Sequence, residues 1–341
     1  MTDPTVLQSG TLADGPLFGL PLPELWFGLV FFLLGTFLFL DGFDFGVGAL
    51  FATLDDDDER EQLLSAIGPV WDGNEVWLVV FGGAMFAAFP AVYANLFSRN
   101  YLLMFAILAA LICRGLAPEM YEQRHDARWQ RWWGRAFVAG SVAAPFFLGA
   151  FAANWLLGGA GLASVPAIVV GAAVVALTVV NGAAYLGLKT RGSLQREMVA
   201  YGPKAVTAYL GLVVAALGYL YVFDPAVSDS LLAPASVGLV TLTVALAVAY
   251  VAAIRRETFL PAMAAAAGMT YGLAALVALL MYPMADPAAG LTVESAIVST
   301  LPLNLMTIAA AALLPLVFVY FGVLYSVFRG PVEAGEAYGG D

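Results

Sequence analysis

Histidine and cysteine are almost missing from this chain of 341 residues: each occurs once, as His125 and Cys113. A lone cysteine cannot close a disulfide within the chain or build a cluster of sulfur ligands. A b-type haem in a membrane protein takes axial ligands from helix side chains, usually histidine or histidine with methionine. His125 stands between Arg124 and Asp126 in a polar stretch, so haem held by paired histidines within this chain is excluded. The ten methionines are dispersed and read as fillers of apolar helix faces. No HExxH, GxGxxG or GK[ST] string occurs, which leaves zinc hydrolase, dinucleotide and P-loop readings without support.

Charge is scarce as well. Charged residues make up 11% of the chain and hydrophobic ones 62%, with a mean hydropathy of +0.87. Soluble domains are about a quarter charged, so the composition is that of an integral membrane protein. A spanning helix needs roughly 20 mostly apolar residues, and nine stretches qualify: 26–50, 76–97, 101–118, 136–157, 162–188, 205–223, 231–254, 258–282 and 303–328. Residues 136–188 carry no charge and divide into two helices at the GGAG turn, 158–161. A transmembrane barrel would alternate polarity over about ten residues per strand, and that pattern is absent.

The basic residues orient the bundle. Arg60, the group Arg124, Arg128, Arg131 and Arg135, the group Lys189, Arg191, Arg196 and Lys204, the pair Arg255 and Arg256, and Arg329 all follow odd-numbered spans. Arg99 alone lies on the opposite side, and Arg114 lies within a span. The positive-inside tendency makes the first set cytoplasmic, with the N-terminus outside and the C-terminus inside. Residues 1–24 form an extracytoplasmic extension without Lys or Arg, unlike the basic leader of a secretory signal. The net charge of −11 comes mainly from an acidic loop, 51–72, and an acidic tail, 329–341, with Glu333, Glu336 and Asp341. Such a balance argues against nucleic acid as a partner.

Ionisable residues within spans fall almost entirely in the first third. Asp41 and Asp44, three apart, share a face of the first helix. They are either interfacial or else paired, hydrated or protonated. Gly42 and Gly46 form a small-xxx-small surface on which another helix can pack closely. In WDGNEVW, residues 71–77, Asp72 and Asn74 can cap the second helix, Glu75 gains from its positive end, and Trp71 and Trp77 are interfacial anchor types. Arg114 either snorkels to the membrane surface or neutralises Asp44 or Asp72 across the bundle. Pro145, Pro261 and Pro315 are expected to kink or interrupt later helices, whose Asn154, Asn181, Thr270 and Asn304 satisfy themselves locally or tie helices together.

The strings DGFDFGVG (41–48), IGPVWDGNEVW (67–77), GGAMFAAFPAVY (82–93) and RGLAP (114–118) resemble subunit II of the cytochrome bd-type quinol oxidases, including the cyanide-insensitive branch. The likeness extends over nearly the whole chain; a longer N-terminal stretch and unusually acidic loops are the departures. It implies an all-α protein of nine transmembrane helices, two four-helix bundles plus one further helix, in the cell membrane. It also implies a haem-bearing partner, subunit I, with two haem b and one haem d. That partner oxidises membrane quinol and reduces oxygen to water with cytoplasmic protons. Subunit II holds no haem iron of its own, has room for a structural quinone and lipid, and is joined in some members by a small single-helix subunit. The acid corresponding to Asp72, beside Trp71, is associated in the family with proton uptake, and Asp41, Asp44 and Glu75 are candidates for the same route. Asn74, Trp77 and Arg114 are supporting residues. Two other readings compete: a purely structural subunit, and a secondary transporter coupling protons to a solute through Asp41, Asp44 and Asp72.

Overall fold

In the computed structural model, residues 12, 13, 15–162 and 164–332 are described. Glu333, Glu336 and Asp341 of the tail and most of the N-terminal extension lie outside the described residues. The chain is helical almost throughout: α1 (Leu22–Phe51), α2 (Asp57–Ile67), α3 (Trp71–Ala88), α4 (Pro90–Arg99), α5 (Tyr101–Glu122), α6 (Ala127–Leu157), α7 (Val165–Lys189), α8 (Gly192–Phe223), α9 (Pro225–Leu232), α10 (Pro234–Arg255), α11 (Phe259–Met281), α12 (Val293–Ala296) and α13 (Thr300–Val327). A short antiparallel hairpin, β1 (Met284–Asp286) with β2 (Leu291–Thr292), interrupts the series.

Among the described residues, eight helices are long and apolar enough to cross a membrane: α1, α5, α6, α7, α8, α10, α11 and α13. The expected second span, 76–97, is broken. Pro90 lacks an amide hydrogen and forces Phe89 out of the helical region, to φ −128° and ψ 61°. What remains is the eighteen-residue α3, which begins earlier, at Trp71, followed by the separate α4. Three other expectations shift for local reasons. The acidic loop contains α2, started by Asp56, whose carboxylate accepts from the amides of Asp58 and Glu59. The helix expected at 136–157 starts nine residues earlier, where Asp126 caps the Trp129 amide, so its arginines stand on helix and not on loop. Pro145 and Pro315 sit inside α6 and α13, and Pro261 near the start of α11, without ending them. The turn at 158–161 behaves as expected: Gly158 ends α6 in the left-handed region, φ 68°.

α1 is the hub, packing against α3, α6, α7 and α11. Beside it α5 lies on α6, α7 on α8, and α10 on α11. Close approach is set by glycine: a Cβ on Gly46 would strike the Thr178 carbonyl and the Gly182 amide of α7, whereas Gly42 has more room, its nearest neighbour being Asn181. The polar side chains of the later helices tie elements together. Asn181 donates to Thr270 across α7 and α11 at 3.2 Å. Asn154 donates to Asn100 Oδ1 and the Gly161 carbonyl, both at 2.8 Å. At that same end Arg99 pairs with the buried Asp286 at 3.0 Å, and the Trp155 indole donates to the Ala285 carbonyl. α13 lies along the outside: an eighteen-residue apolar stretch of it has no buried residue.

Candidate functional site

Two of the acids sit deep in the bundle. Asp41 and Asp44 are three residues apart on α1, and both side chains are 0% exposed. They lie roughly 10–15 Å along the helix from its Phe51 end, the end of the bundle rich in arginine. Burying two carboxylates costs several kcal/mol each unless opposite charge and hydrogen bonds compensate. Arg114 on α5 supplies the charge: its Nη2 lies 2.7 Å from Asp41 Oδ1 and 3.3 Å from Asp44 Oδ2. The guanidinium is 1% exposed, so pairing, and not snorkelling, explains its place. It also stands over the rings of Phe45 and Trp71, 5.2 and 5.3 Å from their centroids, which strengthens its hold in a site shielded from water. Gly140 on α6 makes room for this arrangement, because a Cβ there would collide with the α5 backbone at Ala110 and Arg114.

α3 completes the cluster from the other side. Asn74 is buried and donates through Nδ2 to Asp44 Oδ2 at 2.9 Å. Its Oδ1 accepts from the Tyr325 hydroxyl of α13 at 2.6 Å. Glu75, with 32% of its side chain exposed, accepts from Arg114 Nη1 at 3.2 Å. One turn earlier Asp72 is exposed and stands in the first turn of α3, next to the positive helix end. From Asp72 through Glu75 to Asp41 and Asp44, carboxylates thus run from water to the buried centre. Near the same level Tyr185 of α7 stacks on Phe43 at 4.2 Å and donates to the Ala66 carbonyl of α2.

Several expectations are corrected here. Asn74 does not cap α3, which begins after Val70 without a side-chain cap; its amide is spent on Asp44 and its carbonyl on Tyr325. Arg114 meets Asp41, Asp44 and Glu75 and makes no ion pair with Asp72. Trp77 is no interfacial anchor: it is 1% exposed and stacks on Phe318 of α13 at 5.2 Å. Trp71 serves as a ring under the guanidinium. Sequence reasoning missed Tyr325, whose signal is a tyrosine near the basic end of the last apolar run, on the same side of the bundle as the acids.

As to metals, the described residues hold no group of three or more histidine, cysteine, aspartate or glutamate side chains disposed to bind one. His125 is exposed, and Cys113 is directed at the Ala136 carbonyl. Three carboxylates sharing one guanidinium can do something else: the set can take up a proton without losing its ion pair, because one acid can be neutralised while another keeps Arg114.

A family model described as cytochrome bd terminal oxidase subunit II matches residues 22–328. The chain is 44% identical over 129 residues to the cytochrome bd ubiquinol oxidase subunit 2 of Bacillus subtilis, covering 38% of each. It is 41% identical over 135 residues to the cytochrome bd-I ubiquinol oxidase subunit 2 of Escherichia coli, covering 39% of this chain and 36% of that one. These matches span little more than a third of the relatives' length. In fold, the chain resembles one from the solved bd oxidase of Geobacillus thermodenitrificans with a TM-score of 0.74, over 91% of this chain and 99% of that one, at 17% identity.

Proposed function

The chain belongs to the cytochrome bd terminal oxidase subunit II family, and on that premise we propose that it is the haem-free subunit of a quinol:oxygen oxidoreductase of the cell membrane, paired with a haem-bearing subunit I. In this reading the nine spans are the eight long helices together with α3, and the arginine-rich end faces the cytoplasm. Haem supplies the electron chemistry when bound, on the partner. The donors of this chain do not suit haem iron, since its one histidine is exposed and its one cysteine lies against a backbone carbonyl. The apolar groove of about 620 Å³ between α1, α10 and α11, lined by Phe31, Phe32, Leu239 and Tyr271, has the character expected of a seat for a structural quinone.

This chain's own residues handle protons. Asp72 exchanges with water at the cytoplasmic surface. Glu75, one turn deeper and about a third exposed, relays to the buried pair. Arg114 does not release its proton; it keeps Asp41 and Asp44 tolerable in a dry setting and aims them. Asn74 and Tyr325 fix Asp44 by hydrogen bonds. The observation that carries the reading is the charge mismatch: three carboxylates surround one guanidinium, with an open acid one helical turn away. Secondary transport gains nothing from the later helices, whose buried polar groups such as Asn154, Asn181 and Thr270 bond to one another or to backbone.

The test is oxygen uptake by the purified two-subunit enzyme carrying Asp72→Asn or Glu75→Gln. Both variants are expected to assemble with full haem content and to lose turnover several-fold or more, with Asp72→Glu recovering part of it. Rapid single-turnover kinetics should show electrons arriving normally and the proton-dependent step slowed. Parental turnover across pH in both variants would refute proton uptake by this route, and loss of haem or partner would favour the purely structural subunit.

A further inference from the structure

The start of α6 carries a feature that the proton route leaves unused. Arg128, Arg131 and Arg135 recur at spacings of three and four and so share one helix face. Trp132, 63% exposed, stands among them. In a chain of net charge −11 such arginines would be expected to find acids, yet among the described residues none of the three has a carboxylate within ion-pair distance.

A cleft of about 370 Å³ opens beside Arg131 and Arg135, between α6 and the ends of α1, α2 and α5, while Arg128 and Trp132 border a neighbouring pocket. Two buried groups border it: the Tyr121 hydroxyl, on a side chain 2% exposed and set against the Arg60 guanidinium, and Arg60 Nε. Asp57 already offsets the charge of Arg60 at 3.0 Å, so the uncompensated charge at the cleft belongs to Arg131 and Arg135. Hydrogen-bond donors predominate over acceptors there, which suits an anion.

The shape says which kind. From Gln130 to Ala139 the α6 wall of the cleft advances nine residues, roughly 13 Å along the helix axis. Over that distance it changes from arginine and glutamine to Val138 and Ala139. A free inorganic anion would use only the charged end. We propose that the cleft seats one anionic phospholipid from the adjoining membrane leaflet, its phosphate on Arg131, Arg135 and the two buried groups, and an acyl chain against Val138 and Ala139. Trp132 marks the headgroup level, where tryptophan is favoured, and basic pockets between transmembrane helices are suited to such headgroups.

The experiment uses the full chain in mild detergent, stripped of lipid and then offered phosphatidylglycerol or phosphatidylcholine of identical acyl chains, with bound lipid counted by native mass spectrometry. One phosphatidylglycerol per chain should survive conditions that remove phosphatidylcholine. Arg131→Gln with Arg135→Gln, both at exposed positions, should weaken retention roughly thirtyfold and leave the lipid-free melting temperature unchanged. Ala139→Leu, which keeps every charge and fills the apolar end, should also weaken it, so the assignment can fail even where the double variant does not fold. Equal retention of the two lipids, or parental retention by the variants, would overturn the proposal. So would displacement by inorganic phosphate as effective as that by excess phosphatidylglycerol, since the ligand would then be a free anion.

Discussion

Replacing Arg114 by methionine removes the guanidinium from a site that keeps its acids, and the cost can be bounded from the geometry. Asp41 and Asp44 are fully buried, with Arg114 at 2.7 and 3.3 Å, and breaking a buried pair by deleting one partner costs about 3–5 kcal/mol. A ceiling exists because a stranded acid can take up a proton: for an aspartate that ionises near 3.9 in water this costs about 4 kcal/mol at pH 7. With two acids stranded, the loss lies between about 3 and 8 kcal/mol, a large part of the roughly 5–15 kcal/mol that stabilises a typical fold. The sign of its pH dependence follows. The folded variant holds protons that the unfolded chain does not, so its stability falls as pH rises, by about 1.4 kcal/mol per unit for each proton held. Arg114→Met should therefore accumulate poorly and melt early, and its deficit against the parent should shrink as pH is lowered from about 8 to about 6. Adding Asp41→Asn and Asp44→Asn should restore much of the stability, since it removes both fully buried charges that the lost guanidinium leaves stranded. Yield by size exclusion and thermal melting in detergent are the assays. A single variant that melts like the parent at every pH, or a triple variant no better than the single, would refute the reasoning.

Gly46→Leu should abolish accumulation of folded chain, because even a Cβ collides with the α7 backbone at Thr178 and Gly182, while Gly42→Ala, which meets only the Asn181 side chain, should express well; equal yields would undo the contrast. Tyr325→Phe removes the hydroxyl bonded to Asn74 and should cost about 1 kcal/mol of stability with a measurable slowing of oxygen uptake. Unchanged melting and turnover would take Tyr325 out of the cluster.

Much of the membrane architecture was legible because its signal is one of composition over twenty-residue windows, which tertiary contacts seldom override. The acids and Arg114 were legible for a related reason: charge inside an apolar run is too costly to be incidental. Which of them meet was not. Asn74 reads as a helix cap from its place after a polar turn, and only the proximity of Asp44 and Tyr325 redirects its amide. Tyr325 lies 251 residues from Asn74, and no local pattern predicts a pairing across that separation. The break at Phe89 was visible in Pro90, but hydropathy averaging across residues 76–97 concealed it. The hairpin at 284–292 and its Arg99–Asp286 pair depend on a contact between the end of α4 and a short irregular segment far along the chain, where periodicity carries little information.

α13 follows every other described helix in the chain and lies outside them, yet it is tied at three depths: Asn304 to the carbonyls of residues 12 and 15, Thr307 to the Trp26 indole, and Tyr325 to Asn74. During synthesis the acids, Arg114 and Asn74 are therefore all made before the Tyr325 hydroxyl that donates to Asn74. Until α13 docks, the Asn74 carbonyl lacks the Tyr325 hydroxyl and Trp77 lacks the Phe318 ring that stacks on it. The outermost helix thus completes the innermost polar cluster, and a defect among the buried charges weakens the seat of α13 at the periphery.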